Sequence, residues 1–542
     1  MATEKEEIVM TPTKKGKSTI IKIERKKKAL DLDSDNVAYV AGGQHKGLVV
    51  NKQAADDYVG FIKKCMKQMQ KDDYKLAKKV DLEIRQLDKE EAPMNPGMSK
   101  EDHRPQEEIV REKLLNVLES AYPNVLEVED LVRITAVDEA VVHQQLVELK
   151  QRNLVKEMEN GKVVRHVLED DKTEVQMVKQ MPTIAANQQP TIAIITSNYC
   201  EKLAVDAMME NKTTFVKFKT EDSLVSIKSL LLVGYVGQVS SRFTCLHKMT
   251  CPCESNVYTI GYIGEHKIVS TKLPAIGHAR GAQIASGNTT TRLLGTFQNI
   301  EHVFIVGVGG GVPHYTNFYK HVRLGDIVVS TCNDEGNIYY YCEKILLDKD
   351  KKRHFKVKSW KPTDFILQRV YEKIMDRHQR KPDKAPWDKY IHEGLDLLKN
   401  QESDYNRPPP ETDRLYMGIG DDNVIEVQHP EQPEDDNSRQ PGHPVIHSGI
   451  VGSGRTTKTD ETRMEFASVY DIRCFDSEFD QVLASIDGNR KESFMLIRGI
   501  ADYADGSKNK EWQPYASLVA AAMAKTIIKA MNNPHLSEDE DY

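Results

Sequence analysis

Residues 302–330 read HVFIVGVGGGVPHYTNFYKHVRLGDIVVS. Val303, Phe304, Ile305 and Val306 form a short apolar run, mostly β-branched, which suits a strand covered on both faces of a sheet. It empties into Gly307, Gly309, Gly310 and Gly311. Positions without Cβ atoms let backbone and ligand come close at the carboxyl end of a strand, where open α/β sheets bind ligands. Arg323-Leu324-Gly325-Asp326 then makes a turn, and Ile327–Ser330 starts another strand. A glycine run alone would equally suit a structural hairpin, and this one lacks the G-x-x-x-x-G-K-[ST] pattern of a phosphate-cradling loop.

On both sides of this stretch apolar strands alternate with amphipathic helices, from about Thr191 to Met531. That order predicts an α/β domain with a central mixed sheet. Ile192–Ile195 is a buried-type strand, 201–210 a helix, 257–263 and 267–273 a hairpin around Gly264, and 279–296 a long helix. The pattern breaks after Lys344. Residues 345–443 are charged, proline-rich and partly helical (365–380 and 389–399), an expected surface insertion. The domain, 190–344 and 444–532, closes with a helix from about Tyr515, followed by an acidic tail at 533–542.

Upstream, residues 105–168 read helix, helix, helix, hairpin. Ile109, Leu114, Leu115 and Leu118 mark the first helix, Val128 the start of the second, and Val141, Val142, Leu146 and Leu149 one face of the third. Asn160-Gly161 supplies a tight turn between two short strands. This order resembles a winged helix, whose third helix often reads DNA. Asp138, Glu139 and Glu148 outnumber Lys150 and Arg152 there, so protein contact ranks above DNA contact. Residues 169–189 read as a linker and 53–92 as a helical segment. Residues 1–52 read as a largely disordered tail holding a basic run at 14–28, with eight Lys or Arg against one Glu.

A chain of 542 residues needs several modules. It has no apolar run of 18 residues, and its first residues lack an apolar signal core, so an intracellular protein, cytoplasmic or nuclear, with no membrane contact is expected. Eight scattered cysteines fit reduced thiols. Cys245, His247, Cys251 and Cys253 lie within nine residues, but the C-x-C spacing is not that of common zinc sites, and no metal is expected. A net charge of -7 argues against general attraction to nucleic acid.

Acids stand next to three strand ends: Glu201 after the first strand, Asp476 and Glu478 after Arg473–Phe475, and Asp502 after 494–500. In a sheet of this kind such loops gather on one edge, so carboxylates remote in sequence can converge. Singly, each would serve as a helix cap or surface acid.

In order, TIAIITSNYCEKLAVDAMME, YTIGYIGEHKIVSTKLPAIGHARGA, VFIVGVGGGVP, RLGDIVVS, HSGIVGSGR, CFDSEF and RGIADYADGSKNKEWQPYASLVAAAMAK resemble the nucleoside phosphorylase and methylthioadenosine/adenosylhomocysteine nucleosidase superfamily. They are most similar to a eukaryotic branch found in fungal immune-receptor-like proteins, which includes enzymes that cut adenine from ATP. The resemblance implies a three-layer phosphorylase-type fold, a purine nucleoside or nucleotide substrate, no cofactor, and a homodimer or larger assembly. It puts Asp502 where the family's acid protonates purine N7, Glu478 where a carboxylate holds the ribose hydroxyls, and Glu201 where a carboxylate activates water.

Phosphorylases of this superfamily carry one Arg near the place of Glu201 and another on the strand entering the glycines. Here those places hold Glu201 and Ile305, and a carboxylate repels phosphate while accepting a proton from water, so hydrolysis is expected. Gly307, Gly309, Gly310, Asp476 and Ser477 are expected to line the substrate site. His278, Arg280, Arg455 and Lys458 are expected around a 5′-polyphosphate. The chain departs from the family in Ser477, where a Met is usual, and in Thr456, where an aromatic that stacks on the base is usual. These departures leave room for a second expectation, a non-catalytic nucleotide sensor that uses the winged helix for protein or DNA contact.

Overall fold

A computed structural model describes residues 106–122, 125–158, 161–166, 174–178, 181, 184–185, 188–217, 256–274, 280–348, 353–380, 385–420, 423–436, 438–454, 460–477 and 479–531, and the backbone of 19–22, 47–50 and 83–86. The chain divides into two units. One takes Met1–Asp102, Pro313–Arg323 and Pro409–Ser438; the other takes the rest. In the first, strands β1 (Thr19–Lys22), β2 (Gly47–Val50) and β3 (Glu83–Gln86) join β15 (Leu415–Gly420) and β16 (Asn423–Val427) in one antiparallel sheet, ordered β15-β16-β2-β1-β3. The helical segment expected at 53–92 lies outside the described residues except for β3, which is a strand. The basic run of the tail likewise has only β1 within them.

The second unit begins with helices α1 (Gln106–Ala121), α2 (Val128–Thr135) and α3 (Glu139–Gln151) and the hairpin β4 (Val155–Glu157) and β5 (Val163–Arg165). Asp138 caps α3 by accepting from Ala140 N, and Gly161 takes φ +71° in the turn between the strands. Leu114, Leu118, Leu126, Leu131, Val142, Leu146, Leu149 and Val163 close a core of this module's own. It is a winged helix, as its sequence order requires.

The larger sheet runs β14 (Arg353–Trp360), β13 (Tyr339–Leu347), β17 (Ile446–Ser453), β12 (Ile327–Ser330), β19 (Ser493–Asp502), β11 (His302–Gly311), β7 (Ile192–Thr196), β10 (His266–Lys272), β9 (Asn256–Ile263), β8 (Glu210–Lys217), β6 (Glu174–Val178). β11 lies parallel between β7 and β19, and nearly every residue of the three is buried. β18 (Ile472–Phe475) pairs with both β11 and β17, which closes β17, β12, β19, β11 and β18 into a ring around the glycine end of β11. So β11 and β12 do not form a hairpin; β19 lies between them.

Helices cover the sheet. α10 (Gln513–Ala530) packs along β19 and β11 and is buried on nearly all sides by α4 (Tyr199–Ala207), α6 (Ile366–Arg380) and α7 (Pro386–Leu398). Its alanines let it sit so close that a Cβ on Gly499 would overlap the backbone of Ala516. α5 (Arg280–Thr296) pairs with α9 (Asp480–Gly488), and α8 (Asp460–Tyr470) lies against β18. The stretch read as one insertion is divided: β14, α6 and α7 extend the sheet and its helix layer, whereas Pro409–Ser438 belong to the first unit. The stretch read as a linker likewise supplies β6, an edge strand parallel to β8. Among the described residues no helix is long and apolar enough to cross a membrane.

Candidate active site

The sequence Ser197-Asn198-Tyr199-Cys200-Glu201 starts α4 with a capping box, in which Asn198 accepts from Glu201 N and the Glu201 side chain reaches back. Oε2 of Glu201 accepts from Ser197 N at 2.6 Å, Ser197 Oγ at 2.6 Å and Asn198 N at 3.1 Å. Oε1 accepts from Val308 N at 2.8 Å, in the glycine end of β11. A carboxylate can lie there because Gly307 has no side chain: a Cβ on Gly307 would overlap the Glu201 carboxyl group. Glu201 is 1% exposed.

Two residues on, a Cβ on Gly309 would point the same way and press on Cβ of Arg498, so Glu201 and Arg498 share one face of β11. Arg498 breaks the apolar run of β19 and is completely buried. Its Nη2 donates to Asp476 Oδ2 at 2.8 Å and its guanidinium lies 4.3 Å from the Phe479 ring centroid. Its Nε and Nη1 have no hydrogen-bond partner among the described residues. Sequence reasoning passed over this residue; the one available signal was a lone cation inside FMLIRGIAD.

Asp502 ends β19. The register of β11 and β19 slips after Gly309, pairing Gly310 with Asp502, and turns the carboxylate into the following loop. There Oδ1 accepts from Ala504 N at 2.7 Å, Asp505 N at 3.0 Å and Gly506 N at 2.9 Å, and Oδ2 from Lys508 N at 2.7 Å. The loop fits because Gly310 has no Cβ to strike Ala504 and because Gly506 takes φ +82° against Gly309. Burial raises the pKa of Asp502, helped by the charge of Asp505 and opposed by the backbone donors.

Asp476 follows β18. Tyr339 donates to its Oδ1 at 2.7 Å and Arg498 to its Oδ2, and the ion pair is fully buried. Burial pushes this carboxyl up to about 6 despite the adjacent guanidinium. Each carboxylate oxygen of Asp476 thus holds one donor, which ties it to Arg498 and to the Phe479 turn, where Tyr339 Oη also accepts from Phe479 N at 3.2 Å. Ser477 follows it, half-buried.

Glu201, Asp476 and the β19 pair Arg498 and Asp502 thus come from three segments to the carboxyl end of β11, around Gly307, Gly309 and Gly310. Glu478, Arg455, Thr456, Lys458 and His278 lie outside the described residues, as do the side chain of Arg280 and the whole Cys245–Cys253 cluster.

Residues 100–167 match the family model of the winged helix-turn-helix domain. A nucleotide-binding leucine-rich repeat (NLR)-like protein of Hyaloscypha variabilis is 29% identical over 332 residues, 57% of this chain. The chain spans 30% of that relative's length. Similar solved structures include the 5′-methylthioadenosine/S-adenosylhomocysteine nucleosidase of Neisseria meningitidis, at 12% identity and a TM-score of 0.33, covering 63% of this chain and 99% of that one. Futalosine hydrolase of Helicobacter pylori is similar at 13% identity and a TM-score of 0.33, covering 64% and 98%.

Proposed function

We propose that the chain hydrolyses the N-glycosidic bond of an adenine nucleoside or nucleotide and releases adenine, with ATP the favoured substrate. One observation carries this reading: a buried carboxylate of raised pKa, Asp502, ends the strand paired with β11, and a second buried carboxylate, Glu201, accepts from Val308 N in the same glycine-rich stretch. Cleavage of this bond needs a proton on the departing base, a stabilised oxocarbenium-like sugar and an attacking water. Asp502, whose pKa burial raises, is assigned the proton that goes to the base. Glu201 orients and deprotonates water, and Nε–H and Nη1–H of Arg498, which have no partner among the described residues, are donors for that water or a sugar hydroxyl. Glu478 is assigned the ribose hydroxyls from its motif alone. With Glu201 and the buried Ile305 where phosphorolysis would need cations, water is the nucleophile.

The test is incubation of the purified chain with ATP, adenosine and methylthioadenosine, with and without inorganic phosphate, and chromatography of the products. Free adenine formed at a rate independent of phosphate supports hydrolysis; dependence on phosphate would move the assignment to a phosphorylase. One observation favours a second reading, a nucleotide sensor without turnover: both carboxylates already accept several hydrogen bonds, Asp502 from its own loop and Glu201 from Ser197, Asn198 and Val308. Tight binding of ATP with no adenine released would select it. On either reading, self-association and a partner for the winged helix belong to the proposal, and sedimentation of the full chain tests the first.

A further inference from the structure

The winged helix carries a side chain whose partners lie partly within the module and partly beyond it. Arg165, the last residue of β5, is buried. Its Nη1 donates to Leu154 O at 2.8 Å and His166 O at 2.9 Å inside the module, and its Nε to Glu119 of α1 at 3.2 Å. Its Nη2 donates to Glu402, beyond α7, at 3.0 Å, and its guanidinium lies 5.1 Å from the ring centroid of Tyr199, the first residue of α4. Tyr122, just past α1, meets the same ring edge-on at 5.7 Å. The next residue, Cys200, gives its carbonyl to Tyr405 Oη at 3.0 Å. The residue after that is Glu201. Beneath them Lys272 of β10 is buried in the fields of Glu119 and Glu201. The start of α4 is therefore held by the winged helix on one side and the glycine strand on the other.

We propose that the winged helix is a fixed wall of the catalytic site, and that Arg165 is a positioning residue which acts through Tyr199 to set the start of α4 and the carboxylate of Glu201. This rests on the role given to Glu201 above. α4 has nine residues and Glu201 lies in its first turn, two residues from Tyr199, so a displaced helix start displaces the carboxylate. Misplacement of a reacting group by about 1 Å costs on the order of a hundredfold in rate. An arginine that spreads its donors over two carboxylates and two carbonyls beside an aromatic ring is also a role that lysine fills poorly.

The test compares Arg165→Met, Arg165→Lys, Tyr199→Leu and the Arg165→Met/Tyr199→Leu double variant in the full chain. Adenine release is followed as kcat and KM, and hydrogen exchange is followed over residues 197–203. Arg165→Met is expected to lower kcat ten- to a hundredfold with KM within about twofold, and Arg165→Lys to fall between it and the parent. The double variant should be no slower than the worse single one, because both act on one contact. Exchange over 197–203 should quicken while that of β11 does not. Unchanged kcat, or a lowered melting temperature with unchanged exchange over 197–203, overturns the proposal. If the parent chain releases no adenine, the function assigned above fails by itself, and the exchange result alone upholds or overturns the clamp.

Discussion

Replacing Asp502 with Asn separates the chemistry of this site from its architecture. The asparagine carbonyl can take over the three bonds that Oδ1 accepts from Ala504, Asp505 and Gly506. Its amide nitrogen then faces Lys508 N, which now donates to Oδ2, and two donors cannot pair. The Lys508 N–H and the amide facing it are both left unsatisfied, at about 1–3 kcal/mol each where water cannot reach them, partly offset because a carboxylate no longer has to be buried. The loop should hold, and the melting temperature should fall by a few degrees. Catalysis should suffer more. A lost general acid costs about 10²–10⁴ in rate, or about 3–5 kcal/mol of barrier. The assay is adenine release from saturating ATP beside a thermal melt of the same sample. An Asn variant that melts normally and turns over within about threefold of the parent would refute the assignment of Asp502 as proton donor.

Three further outcomes are expected. Gly307→Ala drives a methyl group into the Glu201 carboxylate, so kcat should fall at least about a hundredfold, the scale of a displaced reacting group; a fully active Ala variant would show that Glu201 need not lie there. The rate should fall as pH rises through the raised pKa of Asp502, since a carboxyl lifted by burial is protonated on the acid side and loses its proton above that pKa; a kcat that climbs through this range would exclude Asp502 as the acid. Asp326 is fully buried against Arg439, at 2.9 and 2.6 Å, and His447, at 2.9 Å, and although burial alone would raise its pKa, Arg439 and His447 hold it well below the usual carboxylate range. Its folded pKa being depressed, the stability it contributes is present above the unfolded carboxylate pKa and lost as pH falls. Arg439→Met should therefore cost about 3–5 kcal/mol in urea unfolding at neutral pH, and less in acid.

The two architectures were legible because each obeys a short-range rule. Apolar runs such as Val303–Val306 and Phe494–Ile497 are buried on both faces wherever they sit in a parallel sheet, and Asn160-Gly161 turns a hairpin whatever surrounds it. The stretches after Lys344 were harder. Alternating exposure along Arg353–Trp360 is that of an edge strand, and its pairing with Tyr339–Leu347 depends on a register that local composition does not encode. Residues 169–189 are polar enough to read as a linker, yet Glu174–Val178 joins the sheet because β8 leaves an edge open to it.

In the site, the glycines of β11 and the acids after β7, β18 and β19 were visible as residue types beside strand ends. Their number and order belong to the sequence alone, as do the missing cations that make water the expected nucleophile. What each side chain touches was decided by the tertiary structure, because burial and hydrogen bonding depend on segments hundreds of residues apart. Asp476 and Asp502 look alike in sequence, but one closes a buried ion pair with Arg498 and the other turns into a loop of amides. Arg165, which reads as a routine strand-end cation in a separate module, meets Tyr199 only because the chain folds the winged helix against the start of α4.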